Sequence, residues 1–324
     1  MARTCLIVQP IHPAGLLRLR AGGLEPRHAS TDDMATVARE IGEAVAVITR
    51  SAGLDAAAMD AAPALRVIGN HGAGTNAIDT AHAARLGIPV VVTPGANAVS
   101  VAEHAVALML AVARRLPAAD RAVRAGDASF KYRSHFVELS GKTLGVVGFG
   151  RIGRRTAAIA RHGLGMRILV HARRPDPEGL RALGAEAVDL QTLLRQASVV
   201  SLHLPLTDAT RGLIGACELA QLRAGAILVN TGRGAVLDES ALVAALEAGR
   251  LAGAGLDVTA HEHLPDDHPL RSREDVILTP HIAGSTDEAL ERTALEVADQ
   301  ILDTLADRRP PHLLDEGVWE RRRR

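Results

Sequence analysis

The 324-residue sequence has few aromatic residues, and this shortage limits how its interior can be built. Aromatic residues make up 2% of the chain, whereas apolar residues of all kinds make up 47%. Any buried core must therefore consist mainly of Ala, Val, Leu and Ile. Such cores are typical of parallel sheets that helices cover on both faces.

Cysteine is almost absent, with one residue at Cys5 and one at Cys217. Two distant cysteines without CxxC spacing exclude a disulfide framework and a thiolate zinc site. The apolar run at the N-terminus is too short for a signal peptide. We therefore expect a cytoplasmic protein without a metal centre.

The sequence also lacks net charge and long apolar stretches. Its 37 basic and 37 acidic residues cancel, so no overall field attracts it to nucleic acid or to an anionic membrane. The longest apolar stretch, residues 99–113, is interrupted by Glu103 and His104 and is shorter than a membrane span. These absences argue against nucleic acid and membrane partners.

Short Val/Ile/Leu runs alternate with Ala-rich helical stretches along most of the chain. This alternation predicts an α/β fold with parallel sheets, and the length fits two domains. We expect two doubly wound lobes with a ligand cleft at the carboxyl ends of the strands. The predicted strands are 5–9, 45–49, 66–69, 90–93, 143–148, 167–171, 199–204, 226–230, 255–258 and 276–278. The predicted helices include 32–41, 76–86, 99–115, which Pro117 would end, and 286–306, and residues 118–141 form the least regular stretch.

Residues 144–153 (LGVVGFGRIG) predict a dinucleotide site, because a strand leads through G-x-G-x-x-G into a helix. Gly148 permits the tight turn, Gly150 lets the backbone approach a pyrophosphate, and Gly153 allows close packing of helix on strand. The helix then begins with Arg151 and Ile152. Its N-terminal end offers free backbone N–H groups and the positive end of the helix dipole to the phosphates.

The end of the next strand indicates which dinucleotide is bound. An NAD site places Asp or Glu there to bind the ribose 2′-hydroxyl, but residues 169–175 read LVHARRP. Arg173 and Arg174 can pair with a 2′-phosphate, so NADP is favoured and NAD stays possible. The nearby Asp176 is the main argument for keeping NAD open.

Three more segments stand at or near strand ends: 229–234 (VNTGRG), 256–262 (LDVTAHE) and 278–284 (LTPHIAG). Together with the glycine motif, residues 100–104 (SVAEH) and residues 201–207 (SLHLPLT), the chain resembles the D-2-hydroxyacid dehydrogenase family. The resemblance implies a hydride transfer between NAD(P)H and the 2-position of a small 2-keto or 2-hydroxy acid. It implies that the catalytic residues are Arg233, Glu262 and His281.

The chemistry of such a reaction needs these residue types. The planar fork of Arg233 can bind the substrate carboxylate and polarise the ketone. An imidazolium at His281 can donate the proton that the ketone oxygen gains, and Glu262 would favour the charged imidazole and orient it.

The resemblance also implies roles for residues outside the catalytic set. Asp257 would orient the nicotinamide carboxamide, and Leu204, Pro205 and Thr231 would form the wall of the cofactor cleft. The loop that follows the strand at 66–69 would hold the substrate carboxylate with its backbone N–H groups, and it consists of His71, Gly72, Ala73 and Gly74.

Within the family, glyoxylate or hydroxypyruvate is the favoured substrate. Common phosphoglycerate dehydrogenases carry an Arg where this chain has Asn70, and nothing long enough for a regulatory domain follows the last predicted helix. The chain departs from the family pattern at two positions near Glu262. His263 stands where family members usually have Pro, and Thr259 stands where they usually have an aromatic residue. The alternatives are a D-3-phosphoglycerate dehydrogenase-like enzyme and a cofactor-sensing binding protein of the corepressor type. A formate dehydrogenase is less favoured, because those enzymes are longer and use a different substrate-site pattern.

Family members interrupt one lobe with the other, and this chain permits the same arrangement. The substrate domain would comprise residues 1–98 and 286–324, and the dinucleotide domain would comprise residues 99–285. The resemblance further implies a homodimer formed through the region after Val99.

Overall fold

The computed structural model describes residues 3–261 and 264–323, which fold as two compact units. The first unit runs to Asn97 and resumes at Ser285, and the second spans Ala98–Gly284. Across the described residues, every helix is too short or too polar to cross a membrane.

Strands and helices alternate through the first part of the first unit. In chain order the elements are β1 (Arg3–Ile7), α1 (Pro13–Ala21), β2 (Leu24–His28), α2 (Met34–Ile41), β3 (Ala44–Thr49), α3 (Ala56–Asp60), β4 (Val67–Asn70), α4 (Thr80–Arg85) and β5 (Val90–Val91). The strands form a parallel sheet in the order β2-β1-β3-β4-β5. This doubly wound order places the switch point between β1 and β3, at the carboxyl edge where ligands bind in such sheets.

Aspartates determine where three helices of this unit begin. Asp33 accepts hydrogen bonds from the backbone of α2, Asp55 from Ala58, and Asp79 from His82. Each carboxylate satisfies an N–H group that the first helical turn leaves unpaired. The cap at Asp79 explains why α4 begins at Thr80 rather than at 76 as predicted.

The second unit continues the alternation with a longer series. Its elements are α5 (Ala98–Ala113), α6 (Leu116–Arg124), α7 (Phe130–Arg133), β6 (Thr143–Val147), α8 (Arg151–Leu164), β7 (Arg167–His171), α9 (Pro177–Leu183), β8 (Glu186–Ala187), α10 (Leu190–Gln196), β9 (Val199–Leu202), α11 (Ala216–Gln221), β10 (Ala226–Asn230), α12 (Glu239–Glu247), β11 (Leu251–Leu256) and β12 (Val276–Leu278). Its parallel sheet has the order β12-β11-β10-β9-β6-β7-β8. The order reverses between β6 and β9, so the glycine turn after β6 lies at the switch point.

A final helix, α13 (Asp287–Leu305), returns the chain to the first unit. Its buried face contributes Ala294, Val297 and Ile301 to the same core cluster as Cys5 and Ile48 of the sheet. The side chain of Gln300 donates to the carbonyl of Val92 at 2.8 Å. Apolar packing and this buried bond together hold the C-terminal segment on the N-terminal sheet.

The predicted fold class, two doubly wound Rossmann-like lobes, is confirmed, and the differences concern individual elements. The edge strand β2 was not predicted, because Pro26 weighs against a strand and is tolerated only at a sheet edge. Pro117 does not end α5 but lies in the first turn of α6, where it needs no hydrogen-bonded N–H. β11 begins at Leu251, four residues before the predicted 255, because Gly and Ala give residues 251–255 a weak strand pattern although they pair with β10. A Cβ at Gly255 would lie 2.9 Å from Cβ of Leu108 on α5, so the glycine permits close packing of that helix.

Candidate active site

The glycine turn between β6 and α8 is sterically closed to side chains at two of its positions. Gly148 has a φ of 97°, and a Cβ there would lie 2.6 Å from the carbonyl oxygen of His203. A Cβ at Gly153 would lie 2.1 Å from the carbonyl oxygen of Gly148. The two glycines therefore permit the turn and the close packing of α8 against the end of β6.

The N-terminus of α8 has the properties of an anion site. Gly150 is the N-cap residue of this 14-residue helix, so no side chain caps the first turn, which holds Arg151 and Ile152. A Cβ at Gly150 would meet no heavy atom within 4 Å, so the space in that direction is open. Backbone N–H groups and the positive end of the helix dipole suit a pyrophosphate in this space. The residues present therefore fit a dinucleotide.

The ends of β9 and β10 bring the predicted cofactor wall to this turn. A Cβ at Gly148 would lie 3.0 Å from the side chain of Leu204, and one at Gly232 would lie 3.1 Å from the carbonyl oxygen of Leu204. Pro205 follows Leu204, and Thr231 precedes Gly232, so the structure places Leu204, Pro205 and Thr231 in one region with Gly148.

His203 lies in the same wall although it was not among the predicted site residues. Its Nε2 lies 2.9 Å from Oγ of Ser201, and its Nδ1 lies 3.5 Å from Oγ1 of Thr231. Burial lowers the pKa of His203 to about 4, so the ring is neutral at neutral pH. The motif SLHLPLT contained His203, but no local pattern distinguished it from a structural histidine.

The acid that follows β7, Asp176, is already engaged by the protein. Asp176 accepts a hydrogen bond from Nη1 of Arg154, and this bond is the main cause of its lowered pKa. Arg154 also donates to the carbonyl of Phe149 at 3.1 Å and lies over the Phe149 ring. Arg173 and Arg174 are exposed and, within the described part of the chain, form no hydrogen bond or ion pair.

Arg233 lies just after β10 in a partly buried position. Asn230 fixes this loop, because its side chain donates to the Arg233 carbonyl at 3.1 Å and accepts from the N–H of Gly232 at 3.0 Å. Burial lowers the pKa of the Arg233 guanidinium, which stays charged because an arginine titrates far above neutral pH. Among the described residues no carboxylate pairs with Arg233, so its charge is available to an anionic ligand.

Asp257, at the end of β11, holds the loop that carries His281. Its carboxylate accepts from the hydroxyl of Thr279 at 2.6 Å and from the N–H groups of Ile282 and Ala283 at 2.9 Å each. Its backbone carbonyl accepts from the N–H of His281 at 2.9 Å. Its own N–H donates to the carbonyl of Asn230, which links this loop to the one that carries Arg233.

The third predicted catalytic residue, Glu262, lies outside the described residues, as does His263. The segment leading to it is described and packs against the Arg233 loop. A Cβ at Gly234 would lie 1.9 Å from the carbonyl oxygen of Thr259. The hydroxyl of Thr259 in turn donates a hydrogen bond to the carbonyl of His261 at 2.5 Å. The loops after β10 and β11 are therefore in direct contact.

The predicted carboxylate-binding loop belongs to the first unit. The side-chain amide of Asn70 donates to the carbonyls of Gly72 and Gly74 at 2.9 and 3.0 Å. Because the C=O and the following N–H of a trans peptide point in opposite directions, the N–H groups of Ala73 and Thr75 face away from Asn70. Burial, assisted by Arg50, lowers the pKa of His71 to about 4.

The described residues contain no group of three or more His, Cys, Asp or Glu side chains that could hold a metal ion. Sequence reasoning did not assign a role to Thr279, His104 or Arg154. Thr279 and His104 stand in motifs quoted for the family resemblance, whereas nothing local singled out Arg154.

Comparison with known proteins agrees with this geometry. The family model described as "D-isomer specific 2-hydroxyacid dehydrogenase, NAD binding domain" matches residues 106–283. The chain is 43% identical over 272 residues to a glyoxylate reductase of Aeropyrum pernix, covering 82% of this chain and 81% of that protein. It is 38% identical over 299 residues to a D-3-phosphoglycerate dehydrogenase of Archaeoglobus fulgidus, covering 92% of this chain but 56% of that protein.

A solved structure covers both units. The chain is similar to the NADPH-dependent glyoxylate/hydroxypyruvate reductase of Sinorhizobium meliloti in complex with NADP and malonate. The two share 30% sequence identity with a TM-score of 0.85, over 100% of this chain and 99% of that one.

Proposed function

Because this chain belongs to the D-isomer-specific 2-hydroxyacid dehydrogenase family and is thus a nicotinamide-dependent oxidoreductase, we propose that it reduces glyoxylate or hydroxypyruvate to the D-2-hydroxy acid. The observation that carries the proposal is Arg233, a partly buried guanidinium that no described carboxylate neutralises. It lies at the end of β10, the strand next to β11, whose Asp257 holds His281. A carboxylate-bearing ketone fits a cation and a proton donor so arranged.

Arg233 binds the substrate carboxylate in this proposal. Its two terminal nitrogens form a planar fork that can hold two oxygens at once, and partial burial strengthens each bond by excluding water. The same charge draws electron density toward the ketone oxygen, which makes the carbonyl carbon more electrophilic.

His281 donates the proton that the ketone oxygen gains, and Glu262 keeps the imidazole charged and oriented for that transfer. In the oxidation of the hydroxy acid, neutral His281 accepts the same proton. The division of roles is physically consistent, because a carboxylate beside an imidazole favours its protonated form.

In our proposal the dinucleotide binds to the second unit. The bound nicotinamide supplies the hydride. Gly148, Gly150 and Gly153 hold the pyrophosphate at the start of α8, and Leu204, Pro205 and Thr231 line the cleft. Both oxygens of the buried Asp257 carboxylate are engaged within the second unit, so in this proposal Asp257 acts on the nicotinamide site by holding the loop that carries His281.

We further propose that NADPH is preferred over NADH. Arg154 pairs with Asp176, which offsets the negative charge that a 2′-phosphate would meet there and engages one of the two oxygens that an NAD site would offer to the ribose hydroxyls. Arg173 and Arg174, which are exposed and without a partner in the described chain, provide positive charge at the same strand end.

Replacing both Arg173 and Arg174 by alanine is expected to lower kcat/KM for NADPH by about 10–100-fold, because charge-assisted bonds to the 2′-phosphate are lost. The value for NADH should change by less than about threefold, since NADH has no phosphate there. Initial rates at varied cofactor concentration measure both, with the exposed Arg195→Ala as a matched control. Equal losses with both cofactors, or a strong preference of the wild type for NADH, would contradict the proposal.

The phosphorylated alternative, 3-phosphohydroxypyruvate, is less consistent with the carboxylate loop. Asn70 stands where the common phosphoglycerate dehydrogenases carry a cation, and its amide is engaged by Gly72 and Gly74. Its donors are therefore not available to a phosphate. The chain also spans 56% of the length of the phosphoglycerate dehydrogenase described above.

A substrate panel tests the proposed reaction. Purified protein is given glyoxylate, hydroxypyruvate, pyruvate or 3-phosphohydroxypyruvate with NADPH or NADH, and cofactor oxidation is followed at steady state. We expect the largest kcat/KM for glyoxylate or hydroxypyruvate, and D-glycerate as the product from hydroxypyruvate. Absence of turnover with every acid would refute the reaction, whereas a clear preference for the phosphorylated acid would refute the substrate class.

We propose a homodimer, formed through the helices after Val99. The stretch from α5 to the segment after α7 exposes several large apolar side chains, and such side chains on a surface favour association. They are Val99, Leu116, Val123, Tyr132 and Phe136. Sedimentation equilibrium should give about twice the chain mass of 34.0 kDa, and a monomer at micromolar concentration would contradict the dimer.

A reducing, cytoplasmic location is part of the proposal. Cys5 is buried in the first sheet and Cys217 is exposed on α11, and both are free thiols. Burial raises the pKa of the Cys5 thiol, which keeps it protonated and unreactive. Neither cysteine requires an oxidising compartment.

A further inference from the structure

A buried polar network connects α5 to the loop that carries His281. The carboxylate of Asp257 is inaccessible to solvent. It accepts hydrogen bonds from the hydroxyl of Thr279 and from the backbone N–H groups of Ile282 and Ala283. Nε2 of His104, on α5, lies 3.0 Å from Oγ1 of Thr279 and 3.5 Å from Oδ1 of Asp257. His104 and Thr279 are 175 positions apart in sequence and meet only in the folded unit.

The direction of each hydrogen bond in this network is fixed by chemistry. The carboxylate of Asp257 receives hydrogen bonds from two backbone N–H groups and one hydroxyl, so it is the acceptor in each of these bonds. The single hydroxyl proton of Thr279 is used in the short 2.6 Å bond to Asp257. Thr279 can therefore only accept from His104, whose Nε2 must carry a proton. The chain of donation runs from His104 through Thr279 to Asp257.

The network holds a backbone that is otherwise unfavourable. His281 has a φ of 54°, in the left-handed region that non-glycine residues seldom adopt. Such a conformation persists only where its surroundings fix it. Here the carbonyl of Asp257 binds the His281 N–H, and its carboxylate binds the next two N–H groups.

We propose that Thr279 and His104 are positioning residues for the proton transfer by His281. They act through Asp257: the hydroxyl of Thr279 and the N–H of His104 orient the carboxylate that fixes the strained His281 loop. This inference rests on the proposed function, because the group positioned is the proton donor of that reaction. It assigns a role to α5, which contributes no other residue to the proposed proton transfer.

Replacement of Thr279 by valine tests the network with little change of shape. We expect Thr279→Val to lower kcat by about 10–100-fold, because the buried carboxylate loses a donor and the loop is no longer fixed. KM for the keto acid and Kd for NADPH, followed by cofactor fluorescence, should change by less than about threefold. Thr279→Ser, which keeps the hydroxyl, should restore kcat, and His104→Gln, which keeps an N–H donor, should retain more activity than His104→Leu.

Amide hydrogen exchange gives a reading that does not depend on turnover. In Thr279→Val, peptides that contain residues 281–283 should exchange about tenfold faster than in the wild type, because Asp257 holds these N–H groups less firmly. Thr192→Val is the matched control. The hydroxyl of Thr192 also donates to an aspartate, Asp189, at 2.8 Å, but this bond lies at the exposed start of α10. It should leave both kcat and this exchange unchanged.

The outcomes separate this inference from the proposed function. Wild-type turnover combined with unchanged kcat and exchange in Thr279→Val would overturn the positioning role and leave the reaction intact. A parallel loss of melting temperature, NADPH binding and kcat, not restored by serine, would also overturn it, because the network would then serve only stability. If the wild type reduces no keto acid, the proposed function fails. Unchanged amide exchange of residues 281–283 in Thr279→Val would separately show that the network does not fix the His281 loop.

Discussion

His281→Ala is expected to lower kcat for the reduction of glyoxylate or hydroxypyruvate by about 10²–10⁴-fold, the usual contribution of a positioned general acid. The ketone oxygen must become a hydroxyl, and without the imidazole the proton comes from water. NADPH should still bind with nearly unchanged Kd, because the glycine turn and the start of α8 are separate from this side chain. Stopped-flow measurement of cofactor oxidation, together with fluorescence titration of NADPH, tests both parts.

The pH dependence of His281→Ala adds a second criterion. In the wild type, reduction should slow on the alkaline side as the imidazole loses its proton, and this limb should disappear in the variant. His162→Ala removes an exposed histidine of α8 and should leave the profile unchanged. If His281→Ala kept the wild-type kcat and the alkaline limb, another group would have to be the proton donor.

Arg233→Ala is expected to reduce kcat/KM for the keto acid by about 10³–10⁴-fold, since truncating one partner of a partly buried charge pair costs about 4–5 kcal/mol. The loss should appear in KM as well as in kcat, because in the proposed mechanism Arg233 contacts both the carboxylate and the developing charge on the ketone oxygen. Arg233→Lys should recover only part of the activity, since an ammonium lacks the planar fork.

Chemical rescue distinguishes a lost contact from a disturbed fold. Added guanidinium ion should partly restore turnover in Arg233→Ala but not in His281→Ala. Arg223→Ala, at an exposed position before β10, is the matched control and should behave as the wild type. Equal KM values for wild type and Arg233→Ala would show that the substrate carboxylate is bound elsewhere.

Some features of the site could be predicted because each is contained within a few consecutive residues. The glycine turn is one strand, one turn and one helix start, and the steric contacts at Gly148 and Gly153 agree with the roles inferred from their spacing. The position of Arg233 after a buried strand followed from an apolar run that ends in VNTGRG. The parallel fold followed from the same local alternation of apolar and helical segments.

Other features depend on which strand ends and helices meet, and no local pattern contains that information. Asp176 could have been a ribose ligand until the structure paired it with Arg154, 22 positions earlier. The resemblance assigned Asp257 to the nicotinamide. Its hydrogen bonds with Thr279, Ile282 and Ala283 could not be predicted, because they form only where the neighbouring strands β11 and β12 end at the same edge of the sheet.

The sequence alone determined the parallel α/β class and the glycine turn after β6, because these follow from short-range periodicity and backbone sterics. The catalytic residues followed from the family resemblance and stay predictions. Only the tertiary structure decided that Asp176 is paired with Arg154, that Asn70 is engaged with its own loop, and that His104 reaches Thr279. The physical reason is that hydrogen bonds between side chains need atoms within about 3 Å. Packing of distant segments, rather than their order along the chain, brings those atoms together.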